Sequence, residues 1–468
     1  MKRLISYFLQ EWKNKDDKWR MPILLRGARQ VGKTHAIREL GKKFENFLEV
    51  NLEINEEAKI IFEKDPDARR IIRDLTATFK KDITPGKTLL FIDEIQAVPK
   101  AIISLRYFKE LVPELHVISA GSLLDFAIEK VGLPVGRVSS LYMYPMSFIE
   151  FLVALGYTQL AKEIVEHDIN KEMSIAIHEK AMDLLSNYLA IGGMPRVVES
   201  WVELQNTREC LNIQSTIIDT YKDDFGKYAR EYQAKYLNKI FDNALNQLSR
   251  KFKYSNVSQG EYRKRELEPC LDLLEKARVL NKIYYTSAQG IPIGAGSDLD
   301  DFKIIFLDVG ISQTILSYDI SSWFNKPLEE FINKGQIVES FVGQEILASS
   351  DPIKYLQLYY WQREARNSSA EVDYVIQLQN NIVPIEVKSG FGKTLKSMQL
   401  FLESHSNSDY GIRFSINNYS IYDPALTSDR SEHGKIHSYP LYAAAKPLID
   451  SNDYLKKAFN YLVSSNKF

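Results

Sequence analysis

Two glycines five positions apart, followed at once by a lysine and a threonine, are the first residues of this 468-residue chain whose types and spacing indicate chemistry. The segment GARQVGKT, residues 27–34, fits the pattern G-x-x-x-x-G-K-[ST] at every specified position. In such a loop the backbone N–H groups surround phosphate oxygens, the lysine neutralises the β and γ oxygens, and the hydroxyl binds Mg²⁺. With ATP as the ligand, the predicted nucleotide-binding residues are Gly27, Ala28, Arg29, Gln30, Val31, Gly32, Lys33 and Thr34.

Two adjacent acids, Asp93 and Glu94, end the apolar run of the segment KTLLFIDEIQAVP. Paired carboxylates at the end of a buried strand do not help folding. Beside a phosphate loop, the first acid holds Mg²⁺ through water and the second polarises the attacking water. The alternative is a turn with solvated acids, which the intact phosphate loop disfavours. We therefore expect Thr34 and Asp93 to bind Mg²⁺, and Lys33 and Glu94 to catalyse hydrolysis.

A third set of candidate catalytic residues lies in the last third of the chain. The segments AEVDYVIQL and IVPIEVKSG read as two strands joined by the turn QNN. Alternation along a strand places Glu386 and Lys388 on one face, where they can meet Asp373. Two carboxylates with a lysine form a Mg²⁺-dependent phosphodiesterase site, and Glu339 on a preceding helix completes it. A cross-strand ion pair is the alternative, and the pattern alone favours neither.

Parallel strands must position the first two sets. Apolar strands are expected at residues 23–25, within 46–55, at 89–92 and at 115–119, with helical segments between them. In an open parallel sheet the ligand crevice lies at the carboxyl ends of the strands. Ser119 and Ser122 stand at such an end and are candidates to contact the γ-phosphate. A serine at a strand end more often caps the next helix, a role that also suits Ser122.

Length and composition limit the class of protein. At about 150 residues per domain, the chain contains about three domains. Its 60 basic and 61 acidic residues leave a formal charge of -1, so no global field draws it to nucleic acid. Cys210 and Cys270 lack a partner at metal-ligand spacing, which predicts two reduced thiols and no zinc site. No apolar run approaches about 18 residues, so we expect no membrane span and a cytoplasmic protein.

Several segments resemble one family. The stretches GARQVGKT, EVNLE, LLFIDEIQAVP, SAGSLL and GRVSSLYMYPMSFIEFL are similar to the AAA+ ATPase module of a widespread prokaryotic family that carries a carboxy-terminal nuclease-like domain of unknown function. The resemblance runs almost from end to end of the chain. Family members usually have Thr-Gly-Ser where this chain has Ala120-Gly121-Ser122. The resemblance therefore implies Ser122 as the sensor of the γ-phosphate, with Ser119 in reserve.

The resemblance also implies a role for Arg137, which follows Gly136 just before an aromatic-rich stretch. An arginine at this place is a candidate trans-acting finger that stabilises charge on the transferred phosphoryl group. A finger that acts in trans requires a homo-oligomer. An arginine packed on Tyr142 or Tyr144 is the alternative.

The middle of the chain is predicted to be helical. Residues 145–206 have apolar positions three and four apart and read as a lid, with a sharp corner at Gly192, Gly193 and Pro195. Residues 207–288 contain two helical stretches and a β-prone run, the order of a winged helix-turn-helix. DNA is a candidate partner because this region is locally basic, although interleaved glutamates make a solvated helix face the alternative. The basic residues are Arg250, Lys251, Lys253, Arg263, Lys264 and Arg265.

The last region, residues 289–468, resembles the PD-(D/E)xK nuclease superfamily, with Asp373 as the lone acid and Glu386-Val387-Lys388 as the ExK element. The predicted fold class is α/β: an AAA+ P-loop domain with a parallel sheet over residues 1–144, the helical lid, a winged-helix-like region and a mixed α/β nuclease-like domain. The predicted function is Mg²⁺-dependent ATP hydrolysis coupled to the later regions, with action on DNA. The alternative is a non-cleaving, ATP-regulated switch that binds a protein or DNA, and nucleotide binding with negligible hydrolysis also stays open.

Overall fold

The computed structural model describes residues 1–122, 124–228, 231–258, 260–365, 368–390, 395–423 and 434–464. The region predicted over residues 289–468 is therefore described in part. Two β-sheets organise the described chain, one parallel sheet of five strands and one mixed sheet of eight strands.

The first sheet forms from short apolar runs that alternate with helices. Its strands are parallel, in the order β2-β3-β4-β1-β5. β3 and β4 are buried along their whole length, as expected for parallel strands covered on both faces. The order brings the carboxyl ends of β1, β3 and β4 side by side. The elements are α1 (Ile5–Lys13), β1 (Ile23–Arg26), α2 (Lys33–Gly41), β2 (Asn46–Asn51), α3 (Glu56–Glu63), α4 (Ala68–Phe79), β3 (Thr88–Asp93), α5 (Pro99–Leu111), β4 (His116–Gly121), α6 (Leu124–Val131) and β5 (Ser139–Tyr142).

A run of helices follows β5. They are α7 (Phe148–Ala154), α8 (Thr158–Glu166), α9 (Ile175–Ile191), α10 (Pro195–Leu204), α11 (Thr207–Tyr228), α12 (Glu231–Asn243), α13 (Tyr254–Ser258) and α14 (Lys264–Lys276). α9 ends at Ile191, and the next residue, Gly192, has a φ of 79°, which lies in the left-handed region. A Cβ atom on Gly192 would lie 2.1 Å from Asp308 Oδ1. Both the backbone and the packing therefore require glycine at the corner between α9 and α10.

The second sheet is mixed and has the order β12-β13-β11-β10-β9-β8-β6-β7. Helix α18 packs against β7 and β10 and connects this sheet to the helices after β5. The elements are β6 (Leu280–Thr286), β7 (Ser297–Phe306), α15 (Val309–Ile315), α16 (Ser322–Asn325), α17 (Pro327–Asn333), α18 (Gly335–Ala348), β8 (Leu358–Ala365), β9 (Ser368–Leu378), β10 (Asn381–Lys388), α19 (Lys396–Ser404), β11 (Tyr410–Ser415), β12 (Ser420–Tyr422), β13 (Lys435–Pro440), α20 (Lys446–Ser451) and α21 (Asp453–Ser464).

The hairpin of β6 and β7 belongs to this second sheet, because β6 pairs antiparallel with β7 and also in parallel with β8. Leu280 and Ile283 of β6 are buried in the apolar core that the sheet covers. The hairpin that follows α14 is thus the edge of an eight-stranded sheet and not a separate wing. The boundary expected between residues 288 and 289 falls inside the loop that joins the two strands.

One apolar core connects the two sheets. Buried residues of β1, α7, α9, β7 and α18 form a contiguous cluster, and a second cluster fills the other face of the first sheet. α21 packs against α1, with the rings of Tyr7 and Tyr461 centred 6.1 Å apart. Cys210 and Cys270 are buried free thiols, and burial raises the pKa of each to about 11. Within the described ranges, no helix is long and apolar enough to cross a membrane.

Candidate functional site

A cavity of about 720 Å³ opens in front of the loop between β1 and α2. The loop turns sharply at Gly27, where a Cβ atom would lie 2.2 Å from the carbonyl oxygen of Met143. It turns again at Gly32, whose φ is 97°. Ala28 and Val31 are buried behind the loop. The predicted residues that line the cavity are Arg29, Gln30, Gly32, Lys33, Thr34, Asp93, Glu94 and Ser122.

Lys33 is buried and is held by the loop that it follows. Its Nζ donates to the carbonyl oxygens of Gly27 and Ala28, at 2.9 and 2.7 Å. Burial lowers the pKa of Lys33 to about 8, and the neighbouring Glu94 and Asp93 oppose that shift. The ammonium is therefore desolvated beside the cavity, where a phosphate oxygen is a stronger partner than a carbonyl.

Thr34 and Asp93 face each other across the cavity floor. Thr34 Oγ1 donates to Asp93 Oδ2 at 3.1 Å, and the backbone N–H of Glu94 donates to Asp93 Oδ1 at 3.0 Å. Burial and the neighbouring Glu94 raise the pKa of Asp93 to about 6. A hydroxyl and a carboxylate at this separation supply the hard oxygen atoms that Mg²⁺ prefers, so the residues present fit this ion.

Glu94 lies beside Asp93 in an unusual backbone conformation, with a φ of 49°. Gln96 donates from Nε2 to Glu94 Oε2 at 2.5 Å. A Cβ atom on Gly121 would lie 2.0 Å from Gln96 Oε1, so the amide is packed tightly against the end of β4. Gln96 thus orients Glu94. The amide two residues after Glu94 in the segment DEIQ was the available signal, and it was missed.

The two candidate sensor serines have different surroundings. Ser119 Oγ donates to the carbonyl oxygen of Ile23 on the neighbouring strand at 3.0 Å, which gives it a structural role inside the sheet. Ser122 directly follows β4 and lines the cavity. The structure therefore brings Ser122 to the loop and directs the hydroxyl of the reserve residue, Ser119, away from it.

The far wall of the cavity comes from α10 and from the amino terminus. Pro195, Arg196 and Glu199 line it, just after the corner at Gly192. Arg196 is exposed and brings a cation to the cavity. Arg3, near the amino terminus, donates from Nη1 to the carbonyl oxygen of Val31 at 2.9 Å. Sequence reasoning treated the corner as a turn and missed these residues.

The loop also contacts the helices beyond the lid. The guanidinium of Arg29 forms an ion pair with Asp224 of α11, and the hydroxyl of Tyr221 donates to the carbonyl oxygen of Arg29 at 2.7 Å. Asp224 lies almost two hundred residues from Arg29 in the chain, and nothing in the sequence indicates this pairing. The nucleotide loop is thus joined directly to the middle region.

Arg137 lies outside the cavity. It precedes β5 and therefore lies at the amino-terminal ends of the parallel strands, whereas the phosphate loop follows the carboxyl end of β1. Its Nε is 3.0 Å from Glu110 Oε1, and its side chain is 47% exposed. The guanidinium groups over the ring of Tyr142 belong to Arg26 and Arg278, so the packing alternative for Arg137 at Tyr142 is not observed. This placement leaves Arg137 accessible to a second molecule.

The third predicted set lies on α18, β9 and β10. Asp373 Oδ2 accepts a hydrogen bond from the backbone N–H of Val387 at 2.7 Å, and Glu386 pairs with Lys388 at 2.5 Å. Glu339 faces Lys303 of β7 at 3.5 Å. Burial is the main cause that raises the pKa of both Asp373 and Glu339 above their ordinary values. Sequence analysis did not predict Lys303 at this cluster.

This set does not fit the divalent ion that a nuclease requires. Among the residues that the structure describes, no three His, Cys, Asp or Glu side chains are placed to hold a metal ion. Glu386 is engaged by Lys388, and Glu339 faces a buried ammonium. We therefore derive no cleavage step at this cluster.

Two of the basic residues predicted to meet DNA, Lys251 and Lys264, are paired with acids of the hairpin. Lys264 lies 2.7 Å from Asp300 and 3.4 Å from Glu268, and Lys251 lies 2.5 Å from Asp301. These aspartates belong to β7. The hairpin therefore brings negative charge to the place where a DNA-binding wing carries positive charge.

Comparison with solved structures gives matches of low identity. A Walker-type ATPase of Pyrococcus abyssi has 12% identity and a TM-score of 0.42, with 66% of this chain and 94% of that chain covered. AMPPCP-bound DnaA from Aquifex aeolicus has 12% identity and a TM-score of 0.27, with coverage of 58% and 88%. The Hsp104–ADP complex of S. cerevisiae has 16% identity and a TM-score of 0.26, with coverage of 75% and 45%.

Family comparison divides the chain into three matched regions, and a search of curated proteins found no match. Residues 182–321 match a domain of unknown function (DUF8612), and residues 334–432 match another (DUF4143). Residues 20–152 match the AAA domain. This match covers β1 to β5, the phosphate loop and the paired acids. The amino-terminal part of the chain is therefore a P-loop domain of the AAA type.

Proposed function

We propose that this protein binds ATP with Mg²⁺ and hydrolyses it in the cavity between the phosphate loop and α10. The observation that carries the proposal is the contact of 3.1 Å between Thr34 Oγ1 and Asp93 Oδ2, beside Glu94. A hydroxyl at a helix amino terminus and a carboxylate at the end of the adjacent strand have no structural need to meet. They make sense as ligands of one ion beside a triphosphate.

Each residue then has a defined task. The backbone N–H groups of residues 27–34 and the Lys33 ammonium hold the phosphates. Glu94, oriented by Gln96, takes a proton from the attacking water, and Ser122 contacts the γ-phosphate. Thr34 and Asp93 hold Mg²⁺, which neutralises charge on the β and γ oxygens when bound.

Arg137 completes the site from a second copy of the chain. Arg137 is exposed and lies at the amino-terminal ends of the strands, away from the cavity of its own chain. This position supports a role in trans, because this side of one chain can contact the cavity of a neighbouring chain. Stabilisation of the transferred phosphoryl group by an arginine accounts for about 10³–10⁵-fold in turnover where it has been measured in related enzymes. The active form in this proposal is a homo-oligomer.

Asp308 couples the cavity to the second sheet. Its Oδ2 accepts from the backbone N–H of Gly193 at 2.6 Å, and its Oδ1 accepts from those of Gly310 and Ile311 at 3.0 Å. Gly193 stands two residues before Pro195, which lines the cavity. A nucleotide-dependent movement of α10 would therefore pull on the start of α15 and the end of β7.

A second contact runs through α18. Glu345 accepts from the backbone N–H of Phe148, at the start of α7, at 2.8 Å. Glu339 lies on the same helix, beside the cluster on β9 and β10. One rigid helix thus touches both the lid and the second sheet, which supports transmission of the nucleotide state to the carboxy-terminal region.

A second candidate function is a nucleotide switch that binds a protein and cleaves nothing. The acidic hairpin favours it, because Asp300 and Asp301 pair with Lys264 and Lys251, two of the basic residues expected to meet DNA. In this version ATP binding sets the shape of the second sheet, and hydrolysis resets it. Binding of duplex DNA at low salt with affinity that falls steeply as salt rises would favour the DNA alternative instead.

The test is ATP turnover by the full chain over a series of protein concentrations, with Glu94→Gln beside the wild type. The variant is expected to keep ATP binding and to lose about 10²-fold or more in turnover, because the group that accepts the proton is gone. Glu57→Gln, an exposed acid on α3, is the matched control and should behave as wild type. Normal turnover in Glu94→Gln would contradict the assignment.

A further inference from the structure

The acidic cluster on α18 and β9 surrounds the ammonium group of a lysine, Lys303. Lys303 lies on β7, and its side chain is 1% exposed. Its Nζ forms an ion pair with Glu371, lies 3.5 Å from Glu339 Oε1, and interacts electrostatically with Asp373. A buried ammonium is stable only with such partners, and buried carboxylates equally require a cation.

Glu386, the carboxylate of the predicted ExK element, is paired with Lys388 and not with Lys303. Glu386 Oε1 pairs with Lys388 at 2.5 Å, and its other oxygen, Oε2, has no hydrogen-bond partner among the described residues. Arg413, on the neighbouring strand β11, interacts electrostatically with Glu386. Glu386 is thus paired with Lys388, while it also acts electrostatically on Asp373.

Lys303 occupies the kind of position that a metal would need. A divalent ion such as Mg²⁺ is bound by oxygen atoms, among which carboxylates supply the compensating charge. Here the carboxylates on α18 and β9 converge on an ammonium, and a divalent ion beside it would be repelled by a like charge at short range in a poorly screened interior. The described side chains also form no alternative set that could hold a metal.

We propose that Lys303 takes the cation position of this cluster, so that the carboxy-terminal region binds no catalytic metal at this place and does not cleave by metal-ion catalysis. The fixed charge of lysine then stabilises α18 against β7 and β9 without an exchangeable ion. This proposal does not depend on ATP hydrolysis.

The experiment measures Mn²⁺ binding to the nucleotide-free full chain by electron paramagnetic resonance, in an Asp93→Asn background that removes the first metal site. We expect no tightly bound Mn²⁺ in this background and no change when Asp373→Asn is added. Adding Lys303→Met, which leaves the carboxylates without their cation, should create one Mn²⁺ site per chain. Asp373→Asn in the same chain should then remove that site.

Lys282→Met is the matched control, because Lys282 is also a buried lysine with two carboxylate partners, Asp272 at 2.6 Å and Glu275 at 3.2 Å. It should create no Mn²⁺ site that Asp373→Asn removes. Two results would overturn the proposal: Mn²⁺ bound in the Asp93→Asn background and lost with Asp373→Asn, or a folded Lys303→Met chain that gains no Mn²⁺. The first comparison retains Lys303, so it decides the question even if Lys303→Met does not fold.

Discussion

At the scale of single residues, Gln96 is the group on which the orientation of Glu94 depends. Without the hydrogen bond of 2.5 Å, the Glu94 carboxylate is free to rotate away from the attacking water. Gln96→Ala should lower kcat by about 10-fold or more while the Kd for ATP stays unchanged, because positioning acts on the chemical step. Steady-state kinetics and equilibrium ATP binding measure the two effects. Gln159→Ala, on an exposed face of α8, is the control. An unchanged kcat in Gln96→Ala would show that Glu94 is held by other contacts.

Ser119 and Ser122 provide a matched pair of hydroxyl groups at the end of one strand. Ser122→Ala should slow turnover, because Ser122 lines the cavity, and should change stability little. Ser119→Ala should leave turnover unchanged and lower the free energy of unfolding by about 1 kcal/mol, because it removes a buried hydrogen bond to Ile23. Kinetics and urea unfolding of both variants make the comparison. Slower turnover in Ser119→Ala alone would reverse the assignment.

At the scale of elements, the corner between α9 and α10 depends on Gly192. Gly192→Ala should lower the free energy of unfolding by about 1–3 kcal/mol or more, because its backbone conformation is nearly restricted to glycine and the added Cβ meets Asp308. Gly156 is the control, since its φ is 85° and no atom lies within 4 Å of an added Cβ. Gly156→Ala should cost only the backbone strain. Equal losses in urea unfolding would show that the contact with Asp308 contributes nothing.

The same corner predicts a dependence of stability on pH. Burial raises the pKa of Asp308 from its ordinary value of 3.8 to about 6, although three backbone N–H groups oppose the shift. The folded state therefore retains this proton where the unfolded state has lost it. The contribution of Asp308 to stability falls as pH rises from about 4 to about 6, by about 3 kcal/mol in total.

Asp308→Asn isolates this effect, because asparagine does not titrate. The free energy of unfolding of the wild type minus that of the variant should be more positive at pH 4.5 than at pH 7. Urea unfolding of both chains at both pH values measures it. Comparing the two chains cancels the titration of all other groups. If the free energy of unfolding of the wild type minus that of the variant becomes more positive as pH rises, Asp308 is preferentially ionised in the folded state.

At the scale of the whole molecule, the placement of Arg137 predicts complementation between copies. Arg137→Ala and Glu94→Gln should each have low turnover. Mixing them should restore activity, because a site with Glu94 from one chain and Arg137 from the other is intact. Turnover of the mixture, compared with the sum of the separate proteins, is the measurement. No recovery, in mixtures that cross-linking shows to contain both chains, would exclude a role in trans.

The sequence by itself determined the phosphate loop, the paired acids and the parallel sheet that carries them. The reason is physical: this chemistry depends on local spacing, with Gly27 and Gly32 setting the loop and Thr34 opening the helix, and on apolar runs that leave few ways to form a buried strand. These features depend little on the rest of the chain.

The tertiary structure alone decided which distant residues meet. Asp224 reaches Arg29, Asp308 reaches Gly193, and Lys303 lies among the carboxylates of α18 and β9. The same holds for β6, which looked like part of a separate wing until its pairing with β8 placed it in the second sheet. The sequence shows only that a buried charge or an unpaired strand needs a partner, and not which residue or strand that partner is. The packing of the whole chain decides which partner it finds, and here it gave the nuclease-like cluster a lysine.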